Sequence, residues 1–421
     1  MMDQENRNVD DLLDDLIAEF GTKSTEEPEH TNNPQDNSVT SPDEYVTKDE
    51  KESCPEEQPK KERTEKRSAW KVVLNVLGKV MLFLLETVLI VAVGLYGVMY
   101  VLAKGPSPTA RDLFVLSVRE TSAVGFLANL FFTNEEIALI ESGGGSDTVE
   151  ELENTDTSLI TITKPSEPSG DEQEGPYTDA YGYVDEDGDG IIVVPVSGAG
   201  YTGYMMIVLD PSRIIMGTVP GSYGGRGYTV AEMVQKFDAV AGVNAGGFED
   251  EGGNGDGSTP STLTVYDGKI YYAEKGIQDG FAGFDSNHIL HVGKFTVQEI
   301  RDRDIQFGVS FGPPLVINGQ GCDRSKLASG INPRTAIGQR ADGAVLLLVI
   351  DGRQTISLGC TWIDMIDIFL EFGAVNASNL DGGSSTLMWY QGKYINNCAS
   401  VVGIRPVCTT FLVAKEGVNN D

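Results

Sequence analysis

Residues 80–102 read VMLFLLETVLIVAVGLYGVMYVL, and Glu86 is their only charge. As a helix these 23 residues reach roughly 34 Å, enough to cross a hydrocarbon core of about 30 Å. Secretory signal peptides carry a short basic region and a shorter apolar core at the N-terminus. This run begins some 80 residues in, so it predicts an uncleaved anchor. Lys60, Lys61, Arg63, Lys66, Arg67 and Lys71 precede it, while only Lys104 and Arg111 follow nearby. The positive-inside rule then predicts residues 1–79 in the cytoplasm and 104–421 outside. Glu86 marks either a partner helix or a side chain snorkelling to the near interface.

Around that anchor the composition divides the chain. Residues 1–70 read as a disordered acidic cytoplasmic tail and 71–103 as the anchor helix. Residues 104–141 read as a juxtamembrane helical stalk, 142–180 as a flexible linker and 181–421 as a globular domain. The formal net charge of −32 argues against a nucleic-acid partner, which selects a basic surface. Much of the acid lies in 1–59 and 142–190, where solvated disorder is the expected state. Residues 10–20, DDLLDDLIAEF, allow a short amphipathic helix for a cytoplasmic partner or a transient helix in a disordered tail. In the stalk, Pro106 and Pro108 precede a helical pattern over 109–132 that Arg119 and Glu120 interrupt. Asn134 followed by Glu135 and Glu136 predicts an N-cap.

From about residue 181 short apolar runs recur at 191–196, 204–209, 239–243, 262–266, 269–273, 314–317, 344–350 and 407–413, each a candidate strand. Asp267-Gly268 between two of them is a hairpin signal. Thr229 with Glu232 forms a capping box ahead of a helix over 230–238. Thr361 with Asp364 opens a second over 362–372, and Gly373 stands at its C-terminal cap. Many strands with few helices predict an α+β domain built on a mixed β-sheet.

Five segments share one grammar, an apolar run that ends in polar residues and glycine. They are Val243-Asn244-Ala245-Gly246-Gly247-Phe248, Asn332-Pro333-Arg334-Thr335-Ala336-Ile337-Gly338, Val349-Ile350-Asp351-Gly352-Arg353, Asn379-Leu380-Asp381-Gly382-Gly383-Ser384-Ser385 and Gly403-Ile404-Arg405-Pro406-Val407. Ligand sites favour such loops at the ends of rigid strands. Taken singly, Asp381 is an Asx-turn, Asn244 a turn cap, and the arginines ordinary surface cations.

Together with Gly312-Pro313-Pro314-Leu315-Val316, these segments resemble in order and spacing the phosphodiester glycosidase family, over about 204–414. One departure is Gly247, where the family usually has an aromatic residue. The resemblance implies hydrolysis of a sugar 1-phosphodiester at the sugar C1, of the N-acetylglucosamine-1-phosphodiester kind. It implies a glycan or glycoconjugate substrate, with bacterial members associated with exopolysaccharide. Because phosphate is a good leaving group, such a site needs cations for the phosphate and a carboxylate at C1 more than a general acid. Asp381 is the first candidate for that carboxylate and Asp351 the second, and Asp381 is alternatively a purely structural residue of its loop. Arg334, Arg353 and Arg405 suit bidentate phosphate binding. Asn244, Thr335, Gly382, Gly383, Ser384 and Ser385 complete the expected substrate-binding set. No cofactor or metal is implied.

Other constellations carry less. His288 and His291 at i, i+3 in a strand face opposite sides. Asp185-Glu186-Asp187-Gly188-Asp189-Gly190 begins like a calcium loop, but the twelfth position is Val196, so an acidic turn entering a strand is expected. Glu249-Asp250-Glu251 allows a cation or a mobile rim. Cys322, Cys360, Cys398 and Cys408 allow disulfides or free thiols, with Cys54 on the cytoplasmic side. The sequence therefore predicts a single-pass cell-membrane protein with an extracellular glycosidase. A non-enzymatic glycan-binding module and a hydrolase of non-sugar phosphodiesters are the alternatives.

Overall fold

A computed structural model of the chain describes residues 62–121, 124–143, 155–163, 176–249, 255–261, 263–271, 280–324 and 327–417. The expected tail before residue 62, the amphipathic stretch 10–20, Cys54, Asp250 and Glu251 lie outside the described residues, as does most of 142–180. The chain divides into two compact units, residues 1–79 and 80–421. Helix α1 (Glu62–Lys104) contains one segment, Trp70–Lys104, long and apolar enough to cross a membrane, with its apolar window unburied.

In residues 80–421 the end of α1 enters a small apolar cluster, Ala103 with Val115, Ala128, Phe132 and Ile137. Helix α2 (Pro108–Arg119) starts where the Ser107 hydroxyl accepts the Ala110 amide and Pro108 occupies the first turn. It stops at Glu120 rather than running to 132, and a 3-10 turn, Gly125–Leu130, follows. Helix α3 (Asn134–Glu141) is capped one residue earlier than the sequence pattern predicts. Thr133 and Glu136 exchange side-chain and backbone bonds, so Thr133 takes the cap and Asn134 the first helical position.

The larger domain is α+β, and its described sheets are antiparallel throughout. One sheet runs β13 (Gln320–Gly321), β12 (Pro314–Ile317), β16 (Ala374–Leu380), β14 (Arg334–Arg340), β15 (Val345–Ile350), β4 (Tyr201–Val208), β3 (Ile191–Gly198). A second runs β18 (Lys393–Tyr394), β17 (Met388–Tyr390), β6 (Ala239–Asn244), β19 (Thr409–Ala414), β5 (Ile214–Thr218). A third runs β10 (Leu290–Gly293), β9 (Phe281–Asp285), β11 (Ile305–Ser310), β7 (Thr264–Tyr266), β8 (Lys269–Tyr271). A short hairpin pairs β1 (Tyr177–Thr178) with β2 (Val184–Asp185).

One core lies between the seven-stranded sheet and the two five-stranded sheets, where Met206, Leu347 and Val349 meet Val243, Phe284 and Phe411. A second lies on the opposite face of the seven-stranded sheet. There α4 (Val230–Lys236) and α5 (Val297–Asp302) play no part, and α6 (Trp362–Glu371) covers the strands with Met365, Ile366, Ile368 and Phe369. Gly338 in β14 makes this packing possible, since a Cβ there would stand 2.8 Å from the Phe369 ring. The expected capping boxes are present at Thr229–Glu232 and Thr361–Asp364. Gly373 ends α6 with φ +77°, and Asp267-Gly268 turns β7 into β8 with φ +54° and +65°.

Asp285 closes the turn between β9 and β10. Burial alone would raise its pKa, but bonds from His291 and from the Ile289 and Asn287 amides overcome that and hold it below the ordinary carboxylate value. A depressed native pKa adds stability above the unfolded value of about 3.9 and loses it as pH falls through the folded value. We expect urea midpoints of wild type and Asp285→Asn to differ at pH 6 and to converge as pH falls below the unfolded value and through the folded one. A gap that stays constant with pH would assign the effect to packing alone.

Candidate active site

Antiparallel register gathers the expected residues at one edge of the sheets. Thr335, second in β14, stands opposite both Leu380, the end of β16, and Val349, near the end of β15. Arg334 faces Ile350, so the loops beginning at Asp351 and Asp381 leave on either side of it. In the neighbouring sheet, Asn244 ends β6 beside Thr410.

Asn244 joins these ends. Its buried side chain donates to the Asp381 carbonyl at 2.6 Å and accepts from the Thr335 hydroxyl at 2.9 Å and the Leu387 amide at 3.1 Å. The Asp381 amide also donates to Ala245 O at 2.9 Å. Both peptide groups of Asp381 are thereby anchored, while its side chain lies in the partly exposed stretch 381–384. Its charge reaches Cys408, whose thiol burial first, and Asp381 in addition, push up to about 12.

The turn that follows requires its glycines. A Cβ on Gly382 would lie 2.8 Å from Pro333 O, and Gly383 has φ +60° while donating its amide to the same carbonyl. A Cβ on Gly383 would lie 3.3 Å from Arg353 Nη2. Arg405 donates from Nη1 to Ser384 Oγ at 2.9 Å and from Nη2 to Gly255 O at 2.9 Å, over the Phe248 ring. Two guanidinium groups thus lie close to the turn. Ser385 and Thr386 are buried, and the Thr386 hydroxyl has no hydrogen-bond partner among the described residues.

The remaining candidates are tied more tightly. Asp351 is buried, and its carboxylate accepts the Asn397 amide at 2.8 Å, Asn397 Nδ2 at 2.8 Å and Asn396 Nδ2 at 3.2 Å. It fastens the 396–397 segment to the end of β15. Arg334 is buried over Trp362 and gives Nη2 to Gly330 O at 2.6 Å and to Glu120 Oε2 at 2.7 Å, with Nε on Cys360 O at 3.2 Å. Arg353 has φ +58°, a left-handed conformation costly for a residue with a Cβ. Its Nη2 donates to Thr121 Oγ1 at 2.8 Å and Asn332 Oδ1 at 3.1 Å. The residue as a whole is exposed, whereas protein crowds its head group. That desolvation, with the like charge of Arg334, lowers its pKa, and Glu120 opposes the shift.

The order of these segments agrees with a recognised domain. Residues 237–414 match the phosphodiester glycosidase family. Among curated relatives, an SPbeta prophage-derived uncharacterized protein, YomE, of Bacillus subtilis (strain 168) is 29% identical over 235 residues, covering 51% of this chain and 33% of the relative. The human N-acetylglucosamine-1-phosphodiester alpha-N-acetylglucosaminidase is 28% identical over 215 residues, covering 45% of this chain and 40% of that protein. The chain therefore spans well under half the length of these relatives. Among solved structures, the zebrafish N-acetylglucosamine-1-phosphodiester alpha-N-acetylglucosaminidase catalytic domain, auto-inhibited by its pro-peptide, aligns with TM-score 0.46 at 19% identity. That alignment covers 54% of this chain and 82% of the zebrafish one.

Within the stretch that matches the family, the glycine at 247 has a physical explanation. A Cβ there would lie 2.9 Å from both the Phe311 ring and the Ser261 hydroxyl. Phe311 fills the space into which a side chain at 247 would project. Gly247→Phe is expected to lower stability by about 1–3 kcal/mol, read as a fall in thermal midpoint. An unchanged midpoint would show that Phe311 yields freely.

Elsewhere the structure assigns ordinary roles. Asp185, Asp187 and Asp189 offer oxygens within 4.8 Å of one another. Asp185 accepts the Gly188 and Gly190 amides, Asp187 accepts Gln391, and Asp189 accepts the Tyr390 hydroxyl and Ile191 amide. This is a strand-entry turn. His291 bonds Asp285 rather than His288, and Cys322, Cys360, Cys398 and Cys408 are free thiols. Residues that sequence reasoning did not select are Glu120, Thr121, Asn332, Asn396 and Asn397. The available signal was an acid interrupting an apolar helix at 119–120.

Proposed function

We propose that the domain hydrolyses a sugar 1-phosphodiester at the bond between the sugar C1 and the phosphate oxygen. The observation that carries this is the Asp381–Ser385 turn with the guanidinium groups of Arg353 and Arg405 close to it and Asp381 at its head. Water adds its oxygen to C1, the C1–O bond breaks, and the released phosphate monoester keeps the bond's oxygen. Arg353 and Arg405 hold the charge that accumulates on the phosphate. Asp381 faces C1, stabilising its developing positive charge and taking the proton of the incoming water. Asn244, Thr335, Gly382, Gly383, Ser384 and Ser385 shape the turn and orient sugar and phosphate oxygens. Asp351 and Arg334 serve from beneath, holding the loops that carry Asn397 and Arg353. The curated human relative, named for an N-acetylglucosamine-1-phosphodiester, supports this substrate class. The apolar helix and its basic flank support a single-pass anchor with the domain outside the cell, facing an envelope glycan or exopolysaccharide.

The test is the full chain in detergent on a panel of sugar 1-phosphodiesters. Release of reducing sugar with an equal amount of phosphate monoester is expected. Release of the alcohol with sugar 1-phosphate intact would assign a different phosphodiesterase, and binding without turnover a glycan-binding module. Either result overturns the reading.

A further inference from the structure

We propose that Glu120 and Thr121, at the end of the helix that follows the membrane-length segment, are positioning residues of the anion site and set the guanidinium of Arg353. The proposal rests on the reading above for the role of Arg353. Both residues lie outside the stretch 237–414 that matches the family.

The contact is built rather than incidental. The Glu120 carboxylate accepts the Gly330 amide at 2.7 Å, Asn332 Nδ2 at 2.9 Å and Arg334 Nη2 at 2.7 Å. One turn earlier, Ser117 Oγ accepts the Ile331 amide at 2.9 Å. Gly330 permits this approach, because a Cβ there would stand 2.3 Å from Ser117 N. The whole 330–334 segment, on whose Pro333 carbonyl the Gly382-Gly383 turn rests, is therefore docked on α2.

The hydrogen-bond directions then follow from chemistry. A carboxylate only accepts, so it must face the NH2 of Asn332 and turn the amide oxygen away. That oxygen accepts Arg353 Nη2 at 3.1 Å. The Thr121 hydroxyl gives its proton to Ser117 O at 3.0 Å, which leaves a lone pair for the same Nη2 at 2.8 Å. Two acceptors, both set from α2, thus hold a guanidinium whose backbone is in a strained conformation. Arg353 forms no ion pair among the described residues, so its position depends on these two neutral acceptors and its charge remains available. Arg334 beside it is neutralised by Glu120 at 2.7 Å.

The experiment uses the full chain in detergent. Thr121→Val removes the acceptor and keeps the shape, and Thr121→Ser restores the acceptor. We expect Thr121→Val to raise KM for the sugar 1-phosphodiester about tenfold with kcat little changed. Binding of inorganic phosphate, by calorimetry, should weaken by the same factor, and Thr121→Ser should return both to wild type. In an Arg353→Gln background, Thr121→Val should do nothing further. Glu120→Gln, which can present an NH2 to Asn332 and reverse its amide, should act in the same direction. Unchanged phosphate affinity in Thr121→Val overturns the proposal. Tighter binding or faster turnover overturns it too, and would identify the segment as a plug. If wild type hydrolyses no sugar phosphodiester, the functional reading fails by itself, while phosphate binding still tests Thr121.

Discussion

Asp381→Asn is expected to reduce kcat on a sugar 1-phosphodiester by about a thousandfold and to leave the fold intact. Two bonds that seat this residue come from its backbone, amide to Ala245 O and carbonyl from Asn244 Nδ2. Replacing the carboxylate by an amide of the same shape does not touch either one. What disappears is the negative charge opposite C1 and the ability to take a proton. With a phosphate leaving group little of the barrier lies in protonating the departing oxygen, so the carboxylate carries a large share of the remaining chemistry. KM should move little, because the arginines hold the phosphate. Parallel measurement of kcat, KM and thermal midpoint decides the matter. A folded Asp381→Asn protein that turns over within tenfold of wild type would return Asp381 to a structural role.

The largest stability effect is expected at Asn244. One buried side chain satisfies the Asp381 carbonyl, the Thr335 hydroxyl and the Leu387 amide, from three different segments. Asn244→Leu fills the same volume and leaves those three groups without their partner. Each buried unsatisfied group costs about 1–3 kcal/mol, and Thr335 can rotate to find another, so a loss of about 3–5 kcal/mol is expected. Urea unfolding reads it as a lower midpoint at an unchanged slope. Activity should fall with it, since the Asp381 carbonyl loses its anchor. A midpoint within the error of wild type would mean that water replaces the amide and that the three segments do not depend on it.

Much of the fold could be read in the chain because its signals are local. Both capping boxes, the Asp267-Gly268 hairpin and the glycine ending α6 each depend on two to four adjacent residues. Strands β14 and β16 were harder. Arg334–Arg340 and Ala374–Leu380 are central and wholly buried, yet Gln339, Arg340, Asn376, Ser378 and Asn379 break the apolar run. Many of their polar groups are satisfied at long range, although Asn379 Oδ1 has no partner among the described residues. Arg340 pairs with Asp179 and Asp342, Gln339 bonds the Leu290 amide, and Asn376 bonds Asn318 N. Apart from Asp342, two residues from Arg340, no window of neighbouring residues contains those partners.

The candidate site divides in the same way. The apolar segment, the acidic tail and the five glycine-bearing loops were determined by the sequence alone, since hydropathy, charge and the backbone freedom of glycine belong to single residues and short runs. Which side chains share a site was decided only by the tertiary structure. Antiparallel register brings Thr335 beside Leu380 and Arg334 beside Ile350. The most distant decision is Glu120, which meets Arg334 across 214 residues of chain. In sequence that acid is a break in an apolar helix. In the folded protein it is the carboxylate that neutralises one arginine and, through Asn332, aims the next.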